Sequence, residues 1–396
     1  MLVRNVTLLH GHELELLPRA DVRIGGKFIE SIGRDLSPRR GERVVDCEGL
    51  LMMPGLVNSH THVGDSIGKD IGIDSGVEAK IHPVSGFKQR ILQTSQPSHL
   101  KEFIRNSCLS MVRRGITTFV DFREGGLDGV RLLRSAVSGI PIRPVVMGRI
   151  NYYQDLKMVR KNFPIPREKR PELAALLGHC TGLGISGPNE FSDSALGYFS
   201  RQKTLRAIHS AETVESNRLS EKETKRSETR RALLARPHLL VHMTHASRGD
   251  LLLASRRGAT IAVCPRANGA LAEGIPNVDL MARSGCNVTI GTDNVMINSP
   301  DMFREMDYLW KVTMGMGKAR LSPKSVLKMA TTNASKFLGS RIGVIRKNSF
   351  ADCVFVEKHS IDLEPMHNPH AAIVHRVSES SIRAVMFEGE LAHGKI

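Results

Sequence analysis

Between residues 55 and 342 the chain repeats one pattern: a short apolar run ends in a polar residue and leads into a helical stretch. The runs span residues 55–60, 115–121, 142–147, 182–186, 205–209, 239–242, 260–264 and 288–291. Apolar runs this short, separated by helical stretches, read as strands of a parallel sheet. Eight such units in about 280 residues suit a closed barrel, whose active sites lie at the C-terminal ends of the strands. The two chain ends follow a different regime. Residues 3–9, 20–24, 28–32 and 44–53, and then 351–356, 371–377 and 382–387, are strand-like pieces broken by turn residues. The expected fold class is therefore α/β. It consists of a (β/α)8 TIM barrel over residues 55–342 and a small flanking β-sandwich domain built from residues 1–54 plus 343–396. One helix carries clear signals: Ser322 as cap, Pro323 in the first turn and Gly339 as stop. Val326, Ala330, Ala334 and Phe337 fall on one of its faces.

Composition narrows the setting. A hydrophobic fraction of 41% supplies a full core, and no apolar run approaches the length of a membrane span. The first residues read as a strand and lack the basic-then-apolar layout of a signal peptide. Six cysteines are scattered without a Cys-x-x-Cys pair, so neither a disulfide framework nor a zinc knuckle is indicated, and a cytoplasmic enzyme is expected. The net charge of +16 raises nucleic acid as a partner. However, Arg226, Arg230, Arg231 and Arg236 are interleaved with Glu221, Glu223 and Glu228, the look of a solvated mixed-charge helix. A small-molecule substrate is the expected partner, with nucleic acid and membrane set aside and a homo-oligomer left open.

The chemistry gathers at the strand ends. Residues two apart on a strand share a face, so His60 and His62 present two imidazoles together, as a zinc-type ion requires. Alone, the pair is weak, because two hydrogen-bonded histidines give the same string. His209, His242 and Asp293 each follow an apolar run at a later strand end. A closed barrel brings all of these ends to one rim.

Taken in order, His60-Thr-His62, His209-Ser-Ala-Glu212, His242-Met-Thr-His245, Cys264-Pro-Arg-Ala-Asn268 and Gly291-Thr-Asp293 resemble the landmarks of the amidohydrolase superfamily. The resemblance is closest to its cytosine deaminase, chlorohydrolase and adenosylhomocysteine deaminase branch. It implies one divalent metal held by His60, His62, His209 and Asp293, zinc in the first place, with ferrous iron open to the same ligand types. It also implies Glu212 as acid and base, Asp293 as acceptor of the water's proton, and His242 as stabiliser of the developing oxyanion. Asn268 supports the site. Binuclear members carry a bridging Lys on strand four. Here that strand reads Gly182-Leu-Gly-Ile-Ser-Gly-Pro-Asn189, so a mononuclear site is expected.

Substrate identity does not carry over, because the stretches 63–72 and 79–90 depart from the deaminases and would shape the pocket. Arg123, Arg149 and Arg266 stand where strands two, three and seven should end. Guanidinium forks bind carboxylate or phosphate, which points to an anionic substrate, with Lys69, Lys88 and Arg90 as possible additions. Equally, Glu124 could simply pair with Arg123. The leading reading is hydrolytic deamination of a nucleobase- or nucleoside-like heterocycle with release of ammonia. Alternatives are hydrolysis of a cyclic amide such as an imidazolone carboxylate, or a chlorohydrolase-type activity. A non-catalytic scaffold fits poorly, since all four expected ligands are present.

Overall fold

The computed structural model describes residues 1–72, 86–317 and 321–396. Part of the 79–90 stretch therefore lies outside the described residues. From the N-terminus run β1 (Leu2–His10), β2 (Glu15–Gly25), β3 (Phe28–Gly33), β4 (Val44–Asp46) and β5 (Leu50–Pro54). Strands alternating with helices follow: β6 (Leu56–His62), β7 (Ile116–Arg123), β8 (Arg143–Gly148), β9 (Gly182–Ile185) and β10 (Leu205–Ser210). The series continues with β11 (Leu239–His242), β12 (Thr260–Val263), β13 (Asn287–Ile290) and the short β14 (Asp293–Asn294). The chain ends on β15 (Cys353–Glu357), β16 (Ile382–Phe387) and β17 (Glu390–Gly394).

The strands β6 to β14 form one all-parallel sheet in sequential order, with β14 returning to β6. Their side chains alternate as a pleat demands. Val120, Phe122, Val145, Met147, Ala207, Leu239, Val241 and Ala262 fill the barrel interior. Phe119, Val146, Ile208, Leu240, Ile261 and Val263 face outward into the main core beneath the helices. This is a (β/α)8 barrel, in which β13 and β14 together make the eighth strand. The same alternation sends His209, two residues beyond Ala207, inward at the rim.

Closure of the barrel needs a close approach. The Thr292 amide donates to His60 O at 3.1 Å and to Asn58 Oδ1 at 3.0 Å, and Asn58 Nδ2 donates to Thr292 Oγ1 at 2.7 Å. At Gly291 an added Cβ would come within 2.6 Å of His60 Cβ and 2.7 Å of its amide nitrogen, so only glycine lets the eighth strand reach the first.

The flanking sheet runs β17-β16-β15-β5-β1-β2-β3, with β4 beside β1. Leu50, Met52, Cys353, Phe355, Ala384 and Met386 point into this sheet's own core with Val3, Leu8, Val22 and Ile29. Their neighbours Leu51, Met53, Val354, Val356 and Val385 face the barrel. The sheet curls over its core, so that Phe28 bridges to Phe350 and the Gly389 amide donates to Ala351 O.

Three expectations need correction. Residues 371–377 are not a strand but part of a helix, Pro369–Arg376, capped by the Asn368 side chain with Pro369 in the first turn. The expected helix from Ser322 to Gly339 breaks after Pro323–Met329. Thr331 leaves helical geometry at φ −140, its hydroxyl donates back to Leu327 O, and a short turn and a further helix Ser335–Leu338 follow. The stretch with mixed charges is not solvated throughout. Arg231 is fully buried, donating to Asp193 Oδ1, Pro188 O and Phe191 O, and Glu228 is buried beside it. Among the described residues no helix is long and apolar enough to cross a membrane.

The closure predicts that Gly291→Ala destabilises the protein by about 2 kcal/mol or more, as overpacking does. Thermal unfolding beside wild type checks it, and an unchanged midpoint would mean that the rim tolerates a methyl group.

Candidate metal centre and active site

His60 and His62 end β6, and His209 sits near the end of β10. Their rings converge, with centroids 4.9 Å apart for His60 and His62, 4.9 Å for His60 and His209, and 5.6 Å for His62 and His209. Ligand-capable atoms of these three residues all lie within 4.8 Å of one another. Asp293 Oδ1 is 3.2 Å from His60 Nε2 and 3.6 Å from His62 Nε2. Both ring nitrogens of His60 and Oδ2 of Asp293 are buried without a hydrogen-bond partner. Buried polar atoms are rarely left so, and each one calls for an explanation. Three nitrogens and a carboxylate around one point fit a divalent metal. Burial pushes the His60 imidazole down to about 3 and so keeps it a neutral donor. Burial opposes ionisation of Asp293, but His60, His242 and His62 outweigh it and hold the carboxyl below its usual range. Neutral imidazole and ionised carboxylate are the forms a metal binds.

Cys264 opens one of the landmark stretches, with no role of its own assigned from the sequence. Its sulfur lies within the same 4.8 Å reach of His60 and Asp293. Burial raises its thiol well above the usual range, so it stands there as a neutral group.

Beside the four residues lies an acid pair. Glu212 Oε1 is 3.3 Å from His242 Nε2. Glu212, His242 and Asp293 also bring ligand-capable atoms within 4.8 Å of one another. Burial raises the Glu212 carboxyl, His242 lowers it and Asp293 raises it again. Asn268 does not line the cavity. Its Oδ1 lies 3.4 Å from His242 Nδ1, while its amide donates to Thr244 Oγ1 and Glu273 Oε2, both at 3.2 Å. Glu273, which sequence reasoning missed, is pushed up to about 10, first by burial and then by Glu212 and Asp293.

The backbone at these strand ends is unusual. Ala211, His242, Met243 and Asp293 have φ of 49, 70, 56 and 60, in the left-handed region that side chains rarely adopt. On β11, Val241 already points into the barrel, so a regular strand would aim His242 outward. The left-handed turn brings it to the rim instead, at a cost of about 1–3 kcal/mol for such a residue.

A cavity of about 500 Å³ opens above, lined by His62, His209, Glu212, His242 and Asp293 together with Lys88, Arg149, Glu190, Glu228 and Glu273. Of the three strand-end arginines, only Arg149 lines it. Its Nη2 donates to Tyr153 Oη at 2.7 Å, and its Nη1 lies 3.5 Å from Glu124 Oε1. Arg123 is buried behind the rim, its Nε donating to Glu124 O. Arg266 turns away. The chain enters the helix Pro265–Ala270 directly after Cys264, and the guanidinium meets Glu305, Ser299 O and Asn298 in a separate cavity. The Glu124 carboxylate does not pair with the Arg123 guanidinium, which reaches only the Glu124 backbone oxygen. It holds His62 Nδ1 and Lys88 Nζ, each at 2.7 Å. Burial would raise its carboxyl, but Lys88, His62 and Arg149 keep it well below the usual range. Lys69 lines the separate cavity with Arg266. On β9 the inward positions Gly182 and Gly184 leave no room for a longer side chain, since a Cβ at Gly184 would come within 2.8 Å of Met147 O.

The sequence matches the amidohydrolase family over residues 51–392. It is 40% identical over 395 residues to a putative aminohydrolase of Methanothermobacter thermautotrophicus, covering 99% of this chain and 98% of that one. It is 26% identical to a 5-methylthioadenosine/S-adenosylhomocysteine deaminase of Acetivibrio thermocellus, covering 92% of this chain and 86% of that one. Its fold superposes on a zinc-bound adenosine deaminase from Xanthomonas campestris with TM-score 0.79 at 19% identity, covering 98% and 92%. The chain belongs to the amidohydrolase family, and it is a hydrolytic enzyme.

The buried acids give the site a pH signature. Burial pushes Glu228 up to about 8, even though it accepts from the Ala211 amide and the Ser216 hydroxyl. Its folded value lies above the ordinary one, so its contribution to stability is full at low pH and is lost as pH rises from about 4.5 to about 8. Glu228→Gln should flatten the fall of the unfolding midpoint across that window. A slope identical to wild type would show that Glu228 is ionised in the folded protein throughout.

Proposed function

We propose that this enzyme is a mononuclear zinc deaminase that replaces the amino group of a small nitrogen heterocycle by oxygen and releases ammonia. The carrying observation is Glu212 Oε1 at 3.3 Å from His242 Nε2, with Asp293 in the same cluster. His60, His62, His209 and Asp293 would hold the metal, which supplies Lewis acidity and brings the pKa of water toward about 7. The names of the Acetivibrio relative and the Xanthomonas structure support deamination and zinc. The crowded inward face of β9 supports a single ion.

The residues divide the work by position. Asp293 takes a proton from the attacking water. Glu212, its carboxyl raised by burial, delivers a proton to a ring nitrogen and makes the neighbouring carbon more electrophilic. His242, held on its far side by Asn268 and facing Glu212 with Nε2, is placed to stabilise the oxygen on which charge develops. The new carbon–oxygen bond forms, the ionised Glu212 takes the proton of the resulting hydroxyl, Asp293 returns its proton to the amine, the carbon–nitrogen bond breaks, and ammonia leaves with both carboxyl groups restored.

The lining bears on the substrate. Arg149 and Lys88 both lie against Glu124, while Glu190, Glu212, Glu228 and Glu273 face the cavity. With the charge of both lining cations already met by Glu124, the cavity favours a neutral or amine-bearing ring over the anion suggested by three arginines. Ring opening of a cyclic amide would use the same acid and base groups but releases no ammonia.

An ammonia-release screen of nucleobases, nucleosides and pterin-like rings, with anionic members included, tests the reading. Glu212→Gln should retain its metal and lose at least about 100-fold in kcat, the scale of general acid–base catalysis. Turnover of a cyclic amide without ammonia, or a Glu212→Gln variant within a few-fold of wild type, would overturn it.

A further inference from the structure

The environment of Glu124 goes beyond what a salt bridge needs. It stands just past β7, between the ends of β6 and β8 and the helix Phe87–Thr94. Its single oxygen Oε1 receives His62 Nδ1 at 2.7 Å and Lys88 Nζ at 2.7 Å, with Arg149 Nη1 at 3.5 Å. A carboxylate only accepts, so the proton of a neutral His62 ring sits on Nδ1. Its Nε2 is left with a lone pair, facing Asp293 Oδ1 at 3.6 Å. That is the tautomer and direction a metal ligand needs. The other two imidazoles have no such support. His209 Nδ1 has a backbone carbonyl, Ile185 O, at 3.3 Å, and neither nitrogen of His60 has a hydrogen-bond partner.

Lys88 extends the arrangement to the other side of the centre. Its Nζ also lies 3.8 Å from Asp65 Oδ2. Asp65 in turn accepts from Asn294 Nδ2 at 2.7 Å and from the Met296 amide at 3.0 Å, the segment that follows Asp293. One buried ammonium thus ties the carboxylate behind His62 to the carboxylate that anchors the chain next to Asp293.

We propose that Glu124 and Lys88 are positioning residues of the metal centre. Glu124 fixes the tautomer and ring of His62, and Lys88 acts through Glu124 to keep it in place. This rests on the metal-centre reading above. The arrangement makes the metal affinity depend on the helix Phe87–Thr94, which contributes no ligand.

The test is Zn²⁺ affinity, measured by competition with a chromophoric chelator, for wild type, Glu124→Ala, Lys88→Met, the double variant and Lys88→Arg. Glu124→Ala should weaken Zn²⁺ by about 10–100-fold, the usual effect of losing a partner behind a ligating histidine. Lys88→Met should weaken it less, and Lys88→Arg should recover most of that loss. The double variant should match Glu124→Ala rather than the product of the two effects, because one residue acts through the other. Zn²⁺ affinity of Glu124→Ala within about twofold of wild type would overturn the proposal, as would multiplying effects. A raised KM for Lys88→Met with unchanged Zn²⁺ affinity would make Lys88 a substrate contact instead. Lys88→Arg carries the comparison if Lys88→Met does not fold. If wild type itself takes up no Zn²⁺, the metal-centre reading fails first, and the two failures are told apart.

Discussion

The pairing of Asp293 and Asn294 with Thr61 and His62 is the constraint on which the rest of the site depends. It closes the barrel, and the same backbone bonds place the Asp293 carboxylate, proposed above as a ligand, against the imidazoles of the first strand. Asn58 grips Thr292 from the first strand, and Gly291 removes the side chain that would hold the strands apart. Barrel closure therefore also sets Asp293 beside His60 and His62. Any change that loosens the seam between the first and eighth strands should therefore act on stability and on the metal site together.

Around that seam the protein gathers polar groups that a stable core would avoid. Both ring nitrogens of His60 are buried without hydrogen-bond partners, Asp293 is ionised, and Glu273 and Glu228 are pushed up to about 10 and about 8 chiefly by burial. Left-handed backbone at His242, Met243 and Asp293 adds strain at the same rim. Violations of ordinary packing rules concentrated at one place are the mark of a functional site. The rest of the molecule supports them with a conventional two-faced design, in which β5, β15 and β16 alternate between the flanking core and the barrel core.

The convergence of the proposed ligands was legible because strand geometry makes it so. The pleat puts His60 and His62 on one face and carries His209 inward from Ala207, and closure of the barrel then fixes where all the strand ends meet. What stayed hidden has physical reasons. His242 is marked in the sequence as a strand end, but the left-handed turn that aims it at the rim does not show in strand periodicity. Arg266 looked like a rim residue, but a helix starts at Pro265 and carries it to the buried Glu305. A pair between Glu124 and its neighbour Arg123 is one of two readings the sequence allows, whereas the Glu124 carboxylate takes its contacts from His62 on β6, Lys88 on the helix Phe87–Thr94 and Arg149 just past β8. The strand expected over 371–377 shows the limit of reading apolar residues alone, since Asn368 and Pro369 announce a helix there.

Metal quantification of the purified enzyme bears most directly on the central claim, that strand closure builds one metal centre from His60, His62, His209 and Asp293. Wild type should carry about one divalent ion per chain, and a folded His209→Ala variant should carry less than about a tenth of that. Two ions per chain, or equal metal in a folded His209→Ala variant, would contradict it.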